Sequence, residues 1–301
     1  MNTPRRARVI PGFSLSLGTT MLYLGVVVLL PLSALFLRAG GLGWGPFWRI
    51  VTSDWVLSAA RFTLGASLLA ALLNMAVGLL VAWVLGRYSF PGRRIVDAVI
   101  DLPFALPTAV AGIALTSLYG QQGWIGAALG KIGHEYPWPV WRGFGEGWPV
   151  GWSWHDRIAL APLGVVVALA FVGLPFVVRT VQPVIEDLSR DVEEAAASLG
   201  ATRWQTFRDV IFPQIGPALL TGFALALARG LGEYGSVIFI SGNRPDTEIA
   251  SQVIVKMIEV NETGTFADAT AVAVLLLAAS FAILLLLNLV QRWTARRAGV
   301  L

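Results

Sequence analysis

Residues 194–213 read EAAASLGATRWQTFRDVIFP, a polar, charged, turn-containing segment between two long apolar runs. In a chain of 301 residues that is 56% hydrophobic and only 13% charged, such a segment needs a reason. Just upstream, Ser189-Arg190-Asp191-Val192-Glu193 offers an N-cap and early acidic residues, followed by alanines, which together signal a helix start. Gly200 breaks that run, as a residue leaving a helix in left-handed geometry does. Thr202 to Arg208 predicts a second short helix, stopped by Pro213. The helix–Gly–helix hairpin is expected to lie parallel to a membrane and to present Ala195, Ala196, Trp204 and Phe207 to a groove on another protein.

The rest of the chain supplies the membrane. Soluble chains average about 25% charged residues, far above the share here. A spanning helix needs about 20 mainly apolar residues. Six stretches qualify: 13–37, 57–85, 95–119, 158–178, 217–240 and 267–290. The first follows Arg5, Arg6 and Arg8, but its apolar run is too long for a signal peptide and no small-residue cleavage site closes it. The expectation is an all-α integral membrane protein of six transmembrane helices, a single domain over 1–301.

Basic residues orient it. With the N-terminus inside, thirteen Lys and Arg fall on the cytoplasmic side and seven outside, with Arg61 and Arg229 within spans. Both termini are then cytoplasmic, as an even number of spans requires. The loop 182–216 lies inside. The loop 120–157 lies outside and carries six of the twelve tryptophans: Trp124, Trp138, Trp141, Trp148, Trp152 and Trp154. It reads either as interfacial packing or as a surface that receives a partner or covers a pore mouth.

Several chemistries drop out. There is no cysteine, hence no thiol catalysis and no cysteine zinc site. His134 and His155 lack metal-ligand spacing, and no metal or cofactor is expected on this chain. No basic stripe or RNA motif suggests nucleic acid; lipid is the expected surroundings. No GxxxxGK[ST] loop is present, so ATP is not bound in the usual way, and with no histidine in any span an intramembrane hydrolase lacks its base.

The spacing of the opening stretch resembles the EAA loop of importer-type ABC transporter permeases. Glu194-Ala195-Ala196, Gly200 and Pro213 fall in that family's register, with Val210 and Phe212 replacing its Ile and Leu. Three further blocks, Asp101–Gly112, Pro175–Pro183 and Ala228–Asn243, are similar to sulfate/thiosulfate permeases, nearest to the T-type subunit. The resemblance implies the importer-type permease fold in a bacterial inner membrane, without enzymatic activity of its own. It implies a homologous W-type permease as partner, making a heterodimer. Two copies of an ABC ATPase, holding ATP and Mg, would dock on the loops, and a periplasmic sulfate/thiosulfate-binding protein would deliver the anion. Molybdate or tungstate import is the alternative substrate. An ion-coupled secondary anion transporter is the alternative mechanism, and it gives residues 194–213 no role.

Candidate pathway residues come from the spans. Pro103, Pro107 and Pro175 lie in apolar runs, where proline kinks or interrupts a helix. Freed backbone groups at membrane depth belong in protein or beside a watery cavity. Pro103 and Pro107 therefore mark either simple curvature or a pathway, where an anion would meet helix-start amides and the Thr108 hydroxyl. Arg229 and Glu233, four apart in the fifth span, read as a mutually satisfied pair that locks packing or as an anion-lining arginine with its tuning carboxylate. Asp97 and Asp101 are expected to pair with the neighbouring Arg93 and Arg94.

Overall fold

Apolar runs free of proline become the longest helices. The computed structural model describes residues 13–120, 122–132, 159, 161–242, 247–259 and 265–297, and within them every regular element is helical. Helix α1 spans Phe13–Gly41, with one wide turn at Gly25–Leu29. A short α2 (Trp44–Val51) leads into α3 (Asp54–Arg87), 34 residues without a proline. At 1.5 Å per residue α3 is about 50 Å long, against a hydrocarbon core of about 30 Å. It is therefore about 20 Å longer than the hydrocarbon core is thick.

The third apolar stretch is not the single helix expected over 95–119. It divides into α4 (Arg93–Ile100), α5 (Leu102–Ala105) and α6 (Thr108–Tyr119). The cause is local: Leu106, preceding Pro107, is driven to extended geometry at φ −85° and ψ 135°. A break, not curvature, is the outcome. Helix α7 (Trp124–Ile132) follows. The other loop tryptophans and both histidines lie outside the described residues, as do Arg5, Arg6 and Arg8.

Helix α8 (Pro162–Asp187) continues unbroken through Pro175 and Pro183, so Pro175 interrupts nothing. Next come α9 (Arg190–Ser198) and α10 (Arg203–Leu231). The predicted fifth span ends early, at Leu231, and a separate α11 (Gly235–Ile240) begins after Tyr234. Helices α12 (Ala250–Glu259) and α13 (Phe266–Arg297) complete the described chain. Among the described residues five helices, α1, α3, α8, α10 and α13, are long and apolar enough to cross a membrane.

The core is the α3, α8, α10 bundle. Lipid is as apolar as leucine, so helices associate through close packing, and small residues allow it. Val177 of α8 is fully buried between two glycines. A Cβ added at Gly78 of α3 would lie 2.8 Å from Val177 Cγ1, and one at Gly222 of α10 would lie 2.8 Å from Val177 Cα. Leu85, Val181, Ile185 and Ile215 extend this core toward the hairpin end, and Leu227 extends it the other way. Helix α1, in contrast, buries only Ala39, so almost its whole surface is left for lipid or another protein.

Candidate functional site

The polar segment forms two helical limbs joined by a turn. Ser189 caps α9 by accepting from the Asp191 amide at 3.2 Å. Gly200 takes φ +84°. The Gly200 amide donates to Ala197 O (3.0 Å) and the Ala201 amide to Ala196 O (3.0 Å), which closes the helix with a Schellman motif. Thr202 then opens α10 with a reciprocal capping box: its hydroxyl accepts from the Gln205 amide while Gln205 Oε1 accepts from the Thr202 amide. Both limbs are thus fixed by their own capping bonds before any partner arrives.

Pro213 does not stop the second limb. A proline offers no amide and crowds the preceding turn; here the turns over Thr206–Ile211 widen to the π form and α10 continues through Pro213 to Leu231. The expected presenting face is also corrected. Ala195 and Trp204 are exposed, but Ala196 is half-buried and Phe207 turns inward. Phe207 meets Trp83 of α3 edge-on, with ring centroids 5.8 Å apart, and stacks under Trp204 at 5.8 Å. Leu199, not among the residues expected on the presenting face, is 89% exposed at the hairpin tip and Trp204 is 67% exposed. Glu194 is exposed on α9.

The C-terminal end of α3 holds this hairpin. Arg87 donates to Glu193 Oε1 at 2.5 Å and to Leu188 O at 3.2 Å, and its guanidinium lies 5.7 Å from the Trp83 ring. One helix end therefore grips both limbs, the first by charge and the second by aromatic packing. Sequence reading missed Arg87 and Trp83, which lie more than a hundred residues from their partners.

The second candidate region brings Thr108, Arg229 and Glu233 into one neighbourhood. Helix α6 starts at Thr108, directly against the start of α11: a Cβ at Gly235 would lie 2.3 Å from Thr108 Oγ1, and one at Gly112 would lie 2.5 Å from Ser236 O. Arg229 Nη2 contacts Glu233 Oε2 at 2.7 Å. Glu233 Oε1 accepts from the Ser236 amide (3.0 Å) and hydroxyl (3.1 Å), so this carboxylate, 1% exposed, also caps α11. The α11 start is thereby occupied by a carboxylate, whereas no carboxylate caps α6, where Pro107 precedes the first turn. Pro103 sits at the first turn of α5, where its missing amide costs nothing, and Pro107 makes the break.

Gly235→Ala is expected to push α6 and α11 apart and lower the thermal midpoint of the purified protein, with Thr108→Ala restoring part of the loss. Overpacking of this kind costs about 1–3 kcal/mol. An unchanged midpoint would show that the two helix starts are not in contact.

Asp97 and Asp101 are paired, but not with Arg93 and Arg94 as expected. Their partner is Arg179 of α8, at 2.8 Å and 2.6 Å. Arg93 instead meets Glu186 at 2.9 Å. Arg93 and Asp97 stand four apart on α4, a spacing that would let them pair, yet each meets a group on α8 instead, and Asp101 follows directly at the C-cap of α4. Among the described residues no cluster of His, Asp or Glu is suited to a metal.

Comparison with known proteins places this geometry. Residues 75–300 match the family described as binding-protein-dependent transport system inner membrane component. The chain is 44% identical over 291 residues to the sulfate transport system permease protein CysT of Escherichia coli, covering 96% of both proteins. It is 43% identical over 280 residues to the protein of the same name from Synechocystis sp., covering 93% of this chain and 90% of that one. A bacterial alginate ABC transporter, solved in complex with an alginate pentasaccharide-bound periplasmic protein, has a chain that superposes with a TM-score of 0.71 at 18% identity, covering 95% of this chain and 93% of its own. The MetNI methionine ABC transporter, in inward-facing form, gives 0.55 at 18% identity over 82% of this chain and 96% of its own. At such identities the superpositions speak for the fold.

Proposed function

We infer function from one premise: the chain belongs to the family of binding-protein-dependent transport system inner membrane components. It is the membrane-spanning permease subunit of an ATP-driven importer that moves sulfate, and thiosulfate with it, into the cytoplasm of a bacterial cell. The observation that carries the substrate is the near-full-length identity to sulfate permeases. The hairpin with exposed Leu199 and Trp204 supports the mechanism, because it offers an ATPase a preformed apolar key. ATP and Mg belong to that partner, present in two copies.

A divalent anion entering an inside-negative cell costs about 2.3 kcal/mol per charge per 100 mV, so uptake needs an external source of energy. A periplasmic sulfate/thiosulfate-binding protein presents the anion at the outer face. The broken third span supports a W-type permease as the second membrane subunit. Irregular backbone at membrane depth cannot face lipid, yet Leu102, Phe104, Val110 and Ile113 flank the break and are exposed in the isolated chain. A second permease against this face would cover it and enclose a pathway past Thr108.

Labelled sulfate uptake in a bacterial strain lacking its own sulfate permease, complemented with this chain, tests the substrate. The expected result is restored uptake, inhibited by thiosulfate and insensitive to trace molybdate. Uptake of molybdate without sulfate would move the substrate and leave the ABC permease standing.

A further inference from the structure

We propose that Arg179 is a positioning residue that transmits movement of the hairpin to the interrupted third span. This rests on the reading of the chain as the permease of an ATP-driven importer. The Arg179 guanidinium has five N–H donors, and the structure gives five bonds. Nε and Nη2 grip the Asp101 carboxylate at 2.8 and 2.6 Å. Nη1 bonds Asp97 Oδ1 at 2.8 Å and Gln182 Oε1 at 3.2 Å. Nη2 also reaches the backbone carbonyl of Asp97 at 3.0 Å.

That last bond shows what the side chain is for. At the end of α4 the Asp101 amide turns back to Ala98 O, and its regular helical acceptor would have been Asp97 O. Arg179 supplies the donor that the helix end lacks. A planar fork can hold a carboxylate with two parallel bonds while serving a carbonyl beside it; a lysine ammonium cannot.

Little else anchors α4. Of its residues only Ile100 is buried, while Ile95, Val96 and Val99 are exposed. The polar ties to α8 therefore fix its place: Arg179 to both aspartates, and Arg93 to Glu186, which also accepts from Gln182 Nε2 at 3.1 Å. On one side of Arg179, α8 runs two turns to Asp187 and passes through Leu188, held by Arg87, into the hairpin. On the other side, Asp101 directly precedes Leu102-Pro103, and the chain reaches Thr108 within seven residues. A shift of the α8 end pulls on the aspartates and, through them, on the break beside Gly235.

The test is the number of sulfate ions moved per ATP hydrolysed, measured in proteoliposomes holding the complete complex. Arg179→Lys keeps the charge and loses the fork. The expected result is an ATPase rate near that of wild type with sulfate moved per ATP down about tenfold, within the usual range of coupling factors. An unchanged ratio overturns the proposal, whether both rates hold or fall together, since a merely structural role moves them in parallel. If Arg179→Lys fails to assemble, Gln182→Leu, which cuts the link between Arg179 and Glu186, is read in the same assay, and a wild-type ratio there is equally fatal. Absence of ATP-driven sulfate movement by the wild-type complex would instead contradict the importer reading itself.

Discussion

Replacing Glu233 with alanine is expected to destabilise the protein by about 3 kcal/mol, the low end of the range for breaking a buried ion pair. The low end applies because the Arg229 side chain is only partly enclosed by this chain, at 34% exposure, whereas Glu233 is sealed. Two losses combine. Arg229 is left without its counter-ion at membrane depth, where an isolated charge is costly. The Ser236 amide and hydroxyl lose their acceptor, and α11 loses its cap. The Ser251 hydroxyl bond to Glu233 O uses the backbone and survives. Glu233→Gln keeps an acceptor for the cap and is expected to lose less. The check is the temperature at which the purified complex ceases to be monodisperse; an alanine variant melting with wild type would remove the structural role. Reversing both charges should restore stability only in part, because an arginine at position 233 would face the positive end of α11.

Leu199→Glu combined with Trp204→Glu is expected to abolish ATPase docking while leaving the permease folded. Both side chains are exposed in the isolated chain, so their replacement removes little internal packing beyond the Trp204 stack on Phe207, while Phe207 keeps its contact with Trp83. Apolar anchors at the centre of an interface each carry about 2–4 kcal/mol, or roughly 30- to 1,000-fold in affinity. The hairpin itself persists, because its Schellman turn and capping box use neither side chain. Titration of the ATPase against the detergent-solubilised permease reads the loss directly. Wild-type affinity in this variant would mean that the ATPase grips some other surface.

Most of the architecture was legible because it follows from local chemistry. Apolar length without proline gave α3 and α13, and the Ser189, Gly200 and Thr202 signals gave the first limb of the hairpin and the start of the second. Proline was the least reliable signal, since its effect depends on what surrounds it. Pro107 breaks a helix because extended geometry at Leu106 is available, Pro175 is absorbed inside α8, and Pro213 is absorbed after a widened turn.

Long-range pairing was the part that could not be read. Arg179 meets Asp97 and Asp101 across about eighty residues of chain, and Arg87 meets Glu193 across about a hundred, distances over which periodicity carries no information. Within one helix the outcome was different: the Arg229–Glu233 pair was visible from its spacing of four. What spacing could not reveal was that Glu233 also caps α11, because that depends on α10 ending at Leu231.

The central claim is ATP-driven sulfate movement through this chain. Its most direct test reconstitutes the chain with its partner permease and ATPase in proteoliposomes, with sulfate-binding protein and labelled sulfate on one side and ATP on the other. Sulfate should accumulate against its gradient only when both ATP and the binding protein are present. Sulfate that equilibrates without ATP, or that stays outside while ATP is hydrolysed and molybdate enters, would contradict it.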